Sequence, residues 1–477
     1  MDNSEISNST FKHFLRIVYD NTGVVNNKYQ ASQTLYDMKK EALPLGEELR
    51  YLANFDDGGN FGGSYKMISD NATGGATYAE WAMKYGDVHG IFYHTMLADL
   101  STDSSTKAYM RSLEANMSSG FSGTSRDIST CLFGGKEASI GQLQEEITVS
   151  QLTGVRIKLK SHAFMQINGV NQRLVFATAG QSNKALPSSP LAANGAYARV
   201  TKILTNNTIE VEFQPAFLGL TLYVGDYIQK FGYRDGATAF GLEGFPDIIP
   251  VVHNDRDEND SDWVSYANTS FRGVTRSNYG DRALGQFVKA APTGKYRYSD
   301  ALSSLLKLGM KAGNRSSEIK LVPNDDKWDQ IQKEIDTNTW QSVNGQAGHI
   351  GATIGKNDIA VAFNQAFTNK IYLDPYCWED KVYMFRPYDF TFCDMGNIGS
   401  KVIDSTGNGA EGKAELTAVG SQGFGSVITS EIGTDKLFSV IPNGGKDRHG
   451  PLFEIGIHVF GNFKSQETVG NGVAVLD

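Results

Sequence analysis

Between Leu45 and Gly135 the chain carries a glycine-tipped strand ribbon that runs through a short apolar passage into a long amphipathic helix, and few folds accommodate that order. In Glu48 to Phe55 the residues Leu49, Tyr51, Ala53 and Phe55 fall on one face and Glu48, Arg50 and Asn54 on the other, the period-2 pattern of a half-buried strand. The run Asp57-Gly58-Gly59-Asn60-Phe61-Gly62-Gly63 turns the chain, Tyr65 to Ile68 continue it, and Gly74-Gly75 precedes Tyr78 and Trp81. A two-stranded ribbon is marginal in water unless its apolar face lies against something else. Exposed Phe55, Phe61, Tyr65 and Trp81 would make an aggregation-prone surface on a monomer, so the expected cover is a second copy of the chain. Leu49, Tyr51, Phe55, Phe61, Tyr65 and Trp81 are then the expected inter-subunit contacts, aromatics being the residues that dominate such interfaces. The competing reading packs these aromatics inside their own subunit.

The 477 residues allow several cores, and 40% apolar residues with 51 glycines describe a folded chain with a strand- and loop-rich bias. Forty-four Lys and Arg against 53 Asp and Glu give a net charge of −9, with no basic run. Tight nucleic-acid binding rests on basic groups that displace counterions at phosphates, so a direct DNA reader is not expected; a wall that faces nucleic acid without gripping it is compatible. Cys131, Cys377 and Cys393 are an odd, scattered set without CxxC spacing, which argues against a disulfide framework or a zinc site and for a reducing compartment. Met1 to Ser9 is polar and acidic and no apolar run approaches the ~18 residues of a membrane span, so a cytoplasmic product is expected.

Along the chain, Phe11, Phe14, Leu15 and Val18 predict a first short helix after Ser9-Thr10, and Tyr29 to Ala42 a second, mostly polar one closed by Pro44. Beyond the ribbon, Ser101-Thr102-Asp103 caps a helix whose stripe runs through Tyr109, Leu113, Met117, Phe121, Ile128, Leu132 and Phe133 to Gly134-Gly135. Gly120 and Gly123 each cost about 1 kcal/mol relative to alanine, which predicts a bend or break there. From Gln151 to Gly232 the pattern is six short strands: Val155–Leu159, Ala163–Ile167, Arg173–Ala177, Tyr197–Leu204, Ile209–Phe213 and Leu220–Ile228. The hairpin turn Thr205-Asn206-Asn207-Thr208 lies between two of them, since Asn tolerates positive φ. Later come a helix at Tyr298–Met310, a strand at Glu318–Val322, a helix capped by Pro323-Asn324-Asp325-Asp326, and strands at Ile359–Phe363, Ile371–Leu373, Lys381–Phe385, Leu437–Ile441 and Phe453–Phe460.

Motifs for chemistry are incomplete. Gly407-Asn408-Gly409-Ala410-Glu411-Gly412-Lys413-Ala414 fits part of a phosphate loop but has Ala414 where a hydroxyl must ligate Mg²⁺. Asp255 to Asp260 has the alternating oxygens of a calcium loop but lacks the turn glycine, and Tyr266 stands in place of the bidentate glutamate. No HExxH or GxSxG motif occurs. Asp56, Asp57, Glu243 and Asp247 are the acids from which a hydrolytic pair would have to be built. No catalytic residue, cofactor site or metal site is assigned.

The order of these elements resembles the Hong Kong 97-fold major capsid proteins of tailed bacteriophages. The local phrasing is similar too: Gly241-Leu242-Glu243-Gly244 within Phe240 to Ile249 looks like that family's Gly-Leu-x-Gly segment, and Phe271-Arg272-Gly273-Val274-Thr275-Arg276-Ser277 like the arginine-bearing stretch that often follows it. Ile319 to Trp328 is similar to the strand and capped helix of the axial domain. The resemblance implies an α+β fold with an N-terminal arm at 1–44, an extended β-loop at 45–95 and a spine helix opening the peripheral domain at 96–150. An inserted all-β module at 151–232 departs from the simplest members; peripheral domain at 233–289, axial domain at 290–400 and a return to the peripheral domain at 401–477 complete the scheme.

By the same resemblance the chain is expected to be a structural protein that assembles with itself into hexamers and pentamers of an icosahedral shell. The shell would be built in the host cytoplasm around packaged double-stranded DNA held without sequence-specific binding. The short arm implies a separate scaffolding protein, and a portal and decoration proteins are the further expected partners; no membrane is involved. Some members cross-link subunits between lysine and asparagine, and Lys66 lies on the corresponding loop, but no motif picks its partner. An encapsulin-like compartment on the same fold, and a β-rich carbohydrate-active hydrolase, are the alternatives.

Overall fold

The computed structural model describes residues 31–42, 48–56, 77–95, 112–177, 196–235, 238–250, 268, 270–289, 298–311, 319–331, 333, 371–394, 439–442, 452–465 and 467–476. Its chain divides into two units, one of residues 1–31, 87–128 and 395–460, the other of residues 32–86, 129–394 and 461–477.

In chain order the elements that matter are α1 (Gln33–Asp37), β1 (Lys39–Ala42), β2 (Glu48–Asp56), β3 (Thr77–Lys84), β4 (Gly86–Thr95) and α2 (Ser112–Gly134). Then come β5 (Ser139–Gln142), β6 (Val155–Lys158), α3 (Ser161–Met165), β7 (Arg173–Ala177), β8 (Ala198–Ile203), β9 (Thr208–Phe213), β10 (Tyr227–Lys230) and α4 (Phe245–Ile248). The last are β11 (Gln286–Lys289), α5 (Tyr298–Lys311), β12 (Lys320–Pro323), β13 (Lys381–Phe385), β14 (Phe390–Asp394), β15 (Ser439–Pro442), β16 (Leu452–Ser465) and β17 (Gly472–Val475).

In the first unit the early part of β16 pairs antiparallel with β15, Ser439 facing His458 and Pro442 facing Ile455, and His89 of β4 meets Phe460 edge-on at 5.8 Å.

Among the described residues of the second unit the packing falls into several clusters. The inserted module is a six-stranded sheet in the order β5-β10-β7-β8-β9-β6, with Ile140, Ile157, Leu174, Phe176, Val200, Val211 and Phe217 in its interior. The sheet begins at Ser139, ahead of the stretch where strand periodicity first becomes plain. Asn206 and Asn207 both take positive φ, +57° and +55°, in the hairpin turn, a conformation that Asn tolerates. A second sheet, β11-β17-β13-β12, packs under α5 and the helical turns from 325, with Leu302, Leu305, Trp328, Ile331, Val382 and Met384 between them. Another cluster is aromatic: Phe245 lies 4.8 Å from Tyr383 and 4.6 Å from Phe390, and Phe133 at the end of α2 lies 5.5 Å from Phe245.

Three local expectations are corrected. Tyr29–Ala42 is not one helix: among its described residues, 31–42, Gln33–Asp37 alone is helical, and Lys39–Ala42 runs parallel to β14. Short isolated helices gain little in water, and a free sheet edge offers backbone partners instead. Ala163–Ile167 is not a strand; α3 covers most of it, with His162 and Ala163 on its buried side. Gly120 and Gly123 do not break the spine, since α2 is continuous from Ser112 to Gly134. Burial of Ile128, Cys131, Leu132 and Phe133 outweighs a glycine cost of about 2 kcal/mol in all. The first predicted helix, the Gly407 loop, the acidic loop at Asp255 and the strand at Ile359 lie outside the described residues.

Candidate assembly site

The described part of the ribbon is the strand pair β2–β3, while the glycine run at 57–63 and the stretch Tyr65 to Ile68 lie outside the described residues. β2 and β3 pair antiparallel, with Tyr51 opposite Trp81, Ala53 opposite Ala79 and Leu49 opposite Met83. Its apolar face is covered by its own subunit: Phe55 (5% exposed) and Trp81 (3%) pack with Val274 and Ala283, and Tyr51, Ala53 and Phe271 border them. Phe55 stacks on Tyr279 at 4.2 Å, and Trp81 meets Phe271 edge-on at 5.8 Å. Phe55 and Trp81 are therefore not exposed anchors for a neighbour. Tyr51 and Leu49 are half-buried on the same face, and Phe61, Tyr65 and Lys66 lie outside the described residues. What the ribbon leaves open is the opposite face, where Leu52 is 73% and Tyr78 60% exposed. Leu52 faces Glu80 and Asn54 faces Tyr78, which makes Leu52 and Tyr78 diagonal neighbours. Arg50, paired to Glu48 and Glu80, edges this apolar spot with charge.

The base of the ribbon is held by a buried ionic clasp. Arg272 donates from Nε to the Glu243 carboxylate at 2.7 Å, from Nη1 to the Tyr51 hydroxyl at 3.1 Å and from Nη2 to the Phe463 carbonyl at 2.6 Å. Glu243 also pairs with Lys136 at 3.0 Å, and its backbone N–H donates to Asn462 Oδ1 at 2.7 Å. Asn462 in turn donates to the Lys84 carbonyl at 2.7 Å, and Ala82 N–H donates to the Arg272 carbonyl at 2.7 Å. Ribbon, Gly-Leu-x-Gly turn, arginine loop and β16 thus meet on one ion pair. Burial works against the charge on Glu243, but Arg272 and Lys136 outweigh it and hold the carboxyl below its usual range. Buried charges need this degree of pairing to persist.

Glycines allow the elements to come this close. A Cβ on Gly244 would stand 2.1 Å from the Cys131 carbonyl oxygen at the end of α2. One on Gly241 would stand 2.3 Å from the Lys136 carbonyl, and one on Gly86 2.5 Å from the Gly241 carbonyl. The Gly-Leu-x-Gly spacing is therefore a seat for the spine end on one side and for the chain leaving the ribbon on the other. Beside it, Asp247 accepts from the backbone N–H groups of Lys136 (3.0 Å) and Gly244 (3.1 Å). Burial pushes the Asp247 carboxyl up to about 6, and burial likewise lifts Glu137, paired with Arg234, to about 7.

Sequence reasoning placed Glu243 and Arg272 in two separate phrases and did not join them. The signal available was a lone acid inside an apolar, glycine-spaced turn and a lone base flanked by Phe271 and Gly273. Of the acids weighed for hydrolysis, Glu243 is buried in the clasp and Asp247 is half-buried and accepts two backbone N–H groups, while Asp57 and the Asp56 side chain lie outside the described residues. Among the described residues no group of His, Cys, Asp and Glu is placed to hold a metal ion, and no helix is long and apolar enough to cross a membrane.

No family model and no curated protein sequence matches the chain. Solved structures do match. A capsid chain of a native GTA particle aligns at 7% identity over 97% of this chain and 96% of its own, with a TM-score of 0.41. The capsid of cyanophage P-SCSP1u aligns at 6% identity over 97% and 93%, with a TM-score of 0.39. A chain of the cyanophage A-1(L) capsid asymmetric unit aligns at 10% identity over 98% of both chains, with a TM-score of 0.51. That end-to-end correspondence gives this chain the mixed α+β, Hong Kong 97-type fold of that capsid chain.

Proposed function

We propose that the chain is the major capsid subunit of a tailed bacteriophage, assembling with itself into the hexamers and pentamers of an icosahedral shell around packaged DNA. The observation that carries this reading is the full-length correspondence of fold with a phage capsid chain. The net charge of −9 suits a wall that must not bind the packaged nucleic acid tightly. A separate scaffold, a portal, decoration proteins and assembly in the host cytoplasm belong to the same reading.

The intersubunit contact on the ribbon is its outer face, Leu52 and Tyr78 with the Arg50 and Glu80 rim. The inner face supplies attachment rather than contact, because Phe55 and Trp81 are already covered. Deleting Gly58 to Ser69 tests this: sedimentation should show a folded subunit or capsomer that no longer yields shells. Normal shells from the deletion variant would remove the ribbon from the assembly account.

A further inference from the structure

The segment Asp374-Pro375-Tyr376-Cys377-Trp378-Glu379-Asp380-Lys381 has no regular secondary structure before β13, yet Asp374, Tyr376, Cys377, Trp378 and Lys381 are all buried. Irregular segments normally run over the surface, because a buried one must find a partner for each backbone polar group. Here the partners come from several parts of the fold. Asp374 N–H donates to the Pro323 carbonyl at 3.2 Å, Asn324 Nδ2 to the Cys377 carbonyl at 2.8 Å, and Leu476 N–H to the Asp380 carbonyl at 2.8 Å.

Two further parts dock on the same segment by side chains. The root of the N-terminal arm binds the Asp374 carboxylate: Ser32 Oγ donates to it, as do Thr34 Oγ1 at 2.7 Å and Thr34 N–H at 3.3 Å. Ser32 N–H donates to Ser129 Oγ on the spine at 2.9 Å, and Leu35 and Met38 are buried behind this contact. The inserted module binds a few residues further on. Gln166 Nε2 donates to the Tyr376 carbonyl at 3.3 Å, the His162 ring stacks on Trp378 at 5.3 Å, and Tyr227 lies 5.7 Å from the same indole.

The two docks are unequal. The Asp374 carboxylate is saturated, its second oxygen accepting Tyr376 N–H at 3.0 Å. On the module side, His162 reaches Glu379 only at 3.6 Å, an ion-pair distance beyond a hydrogen bond. Among the described residues, Gln166 Oε1, Trp378 Nε1 and Asp380 Oδ1 are buried with no hydrogen-bond partner, and the buried His162 ring has the long Glu379 ion pair alone. Buried polar atoms in that state weaken the contact they line. The arm root is thus bonded tightly to one end of a short segment whose other end holds the inserted module loosely.

We propose that Asp374–Lys381 is a coupling element through which the state of the N-terminal arm root sets the firmness of the inserted module's seat, and the reverse. Release of Ser32 and Thr34 frees Asp374 and Tyr376, and with them the Tyr376 carbonyl and Trp378 ring on which α3 rests. The coupling belongs to the folded subunit and does not depend on the capsid reading. Coupling free energy is reciprocal, so a disturbance at either dock must be felt at the other.

Hydrogen exchange by mass spectrometry on the full chain tests it, with Ser32→Ala/Thr34→Val at the arm dock and Gln166→Leu at the module dock. The arm variant should speed exchange about tenfold at 161–167 as well as at 32–42, and Gln166→Leu should speed it at 32–38, while the β8–β9 hairpin stays unchanged in both. The single variant Thr34→Val carries the same expectation at smaller size should the double variant fold poorly. Acceleration confined to the side that was altered, or spread uniformly to include β8–β9, overturns the proposal.

Discussion

Replacing Arg272 by methionine removes the centre of the clasp while keeping the length of the side chain. Arg272 has a positive φ of +51°, and methionine carries the same backbone strain, so the effect is that of the lost guanidinium. The substitution breaks a buried ion pair at 2.7 Å and leaves the Phe463 carbonyl without its 2.6 Å donor. Breaking one side of a buried pair costs about 3–5 kcal/mol, and an orphaned buried acceptor costs about 1–3 kcal/mol. Glu243 keeps Lys136 at 3.0 Å and Tyr51 keeps the Ser465 carbonyl at 3.3 Å, which offsets part of the loss. The net expectation is a loss of about 4 kcal/mol in urea unfolding of the isolated subunit, with faster hydrogen exchange in β2 and β3. Glu243→Gln added to Arg272→Met should cost less than the sum of the two single changes by about 2 kcal/mol, because the pair is lost only once. A loss below about 1 kcal/mol, or strict additivity in the cycle, would refute the clasp as the ribbon's anchor.

Gly244→Ala forces a methyl to 2.1 Å from the Cys131 carbonyl, so it should destabilise the subunit by more than about 3 kcal/mol or abolish soluble expression, whereas Gly154→Ala, at positive φ but with open space around it, should cost about 1 kcal/mol. Asp247 and Glu137 bind protons more tightly folded than unfolded, so their contribution to stability is present at acid pH and is lost as pH rises from about 4 through their folded values near 6 and 7. Urea midpoints at pH 5 and 7.5 should show it, with Asp247→Asn removing about 1.4 kcal/mol of the dependence over that interval; an unaltered profile in that variant counts against the assignment. Leu52→Asp with Tyr78→Ser lies on an exposed face and should change subunit stability by no more than about 0.5 kcal/mol while preventing assembly, whereas Trp81→Ala should cost about 3–5 kcal/mol in the subunit itself, both read by thermal melts and sedimentation.

Much of this architecture is legible in the residues because it rests on local periodicity. The alternation from Glu48 to Phe55, the Asn206-Asn207 turn, the stripe of α5 and the Asn324 cap all announce themselves within a few residues. What the sequence does not display is partnership across long separations. Phe55 and Trp81 read as apolar ribbon residues, but that their cover is Val274, Ala283, Phe271 and Tyr279 depends on contacts some two hundred residues away. Lys39–Ala42 became a strand because β14 offers it an edge, which no helix or strand propensity within those four residues records. The same holds for the site: Glu243 and Arg272 each stood out, while their ion pair, and the Asp374 hub for Ser32 and Thr34, exist only in three dimensions.

The most direct test of the central claim is electron microscopy of the purified full-length chain, expressed alone and with a scaffold protein encoded beside it. Assembly as a capsid subunit predicts closed icosahedral shells, or at least rings of five and six, in one of the two preparations, and their loss in the Leu52→Asp/Tyr78→Ser variant. A chain that stays monomeric under both conditions at concentrations well above micromolar would contradict it.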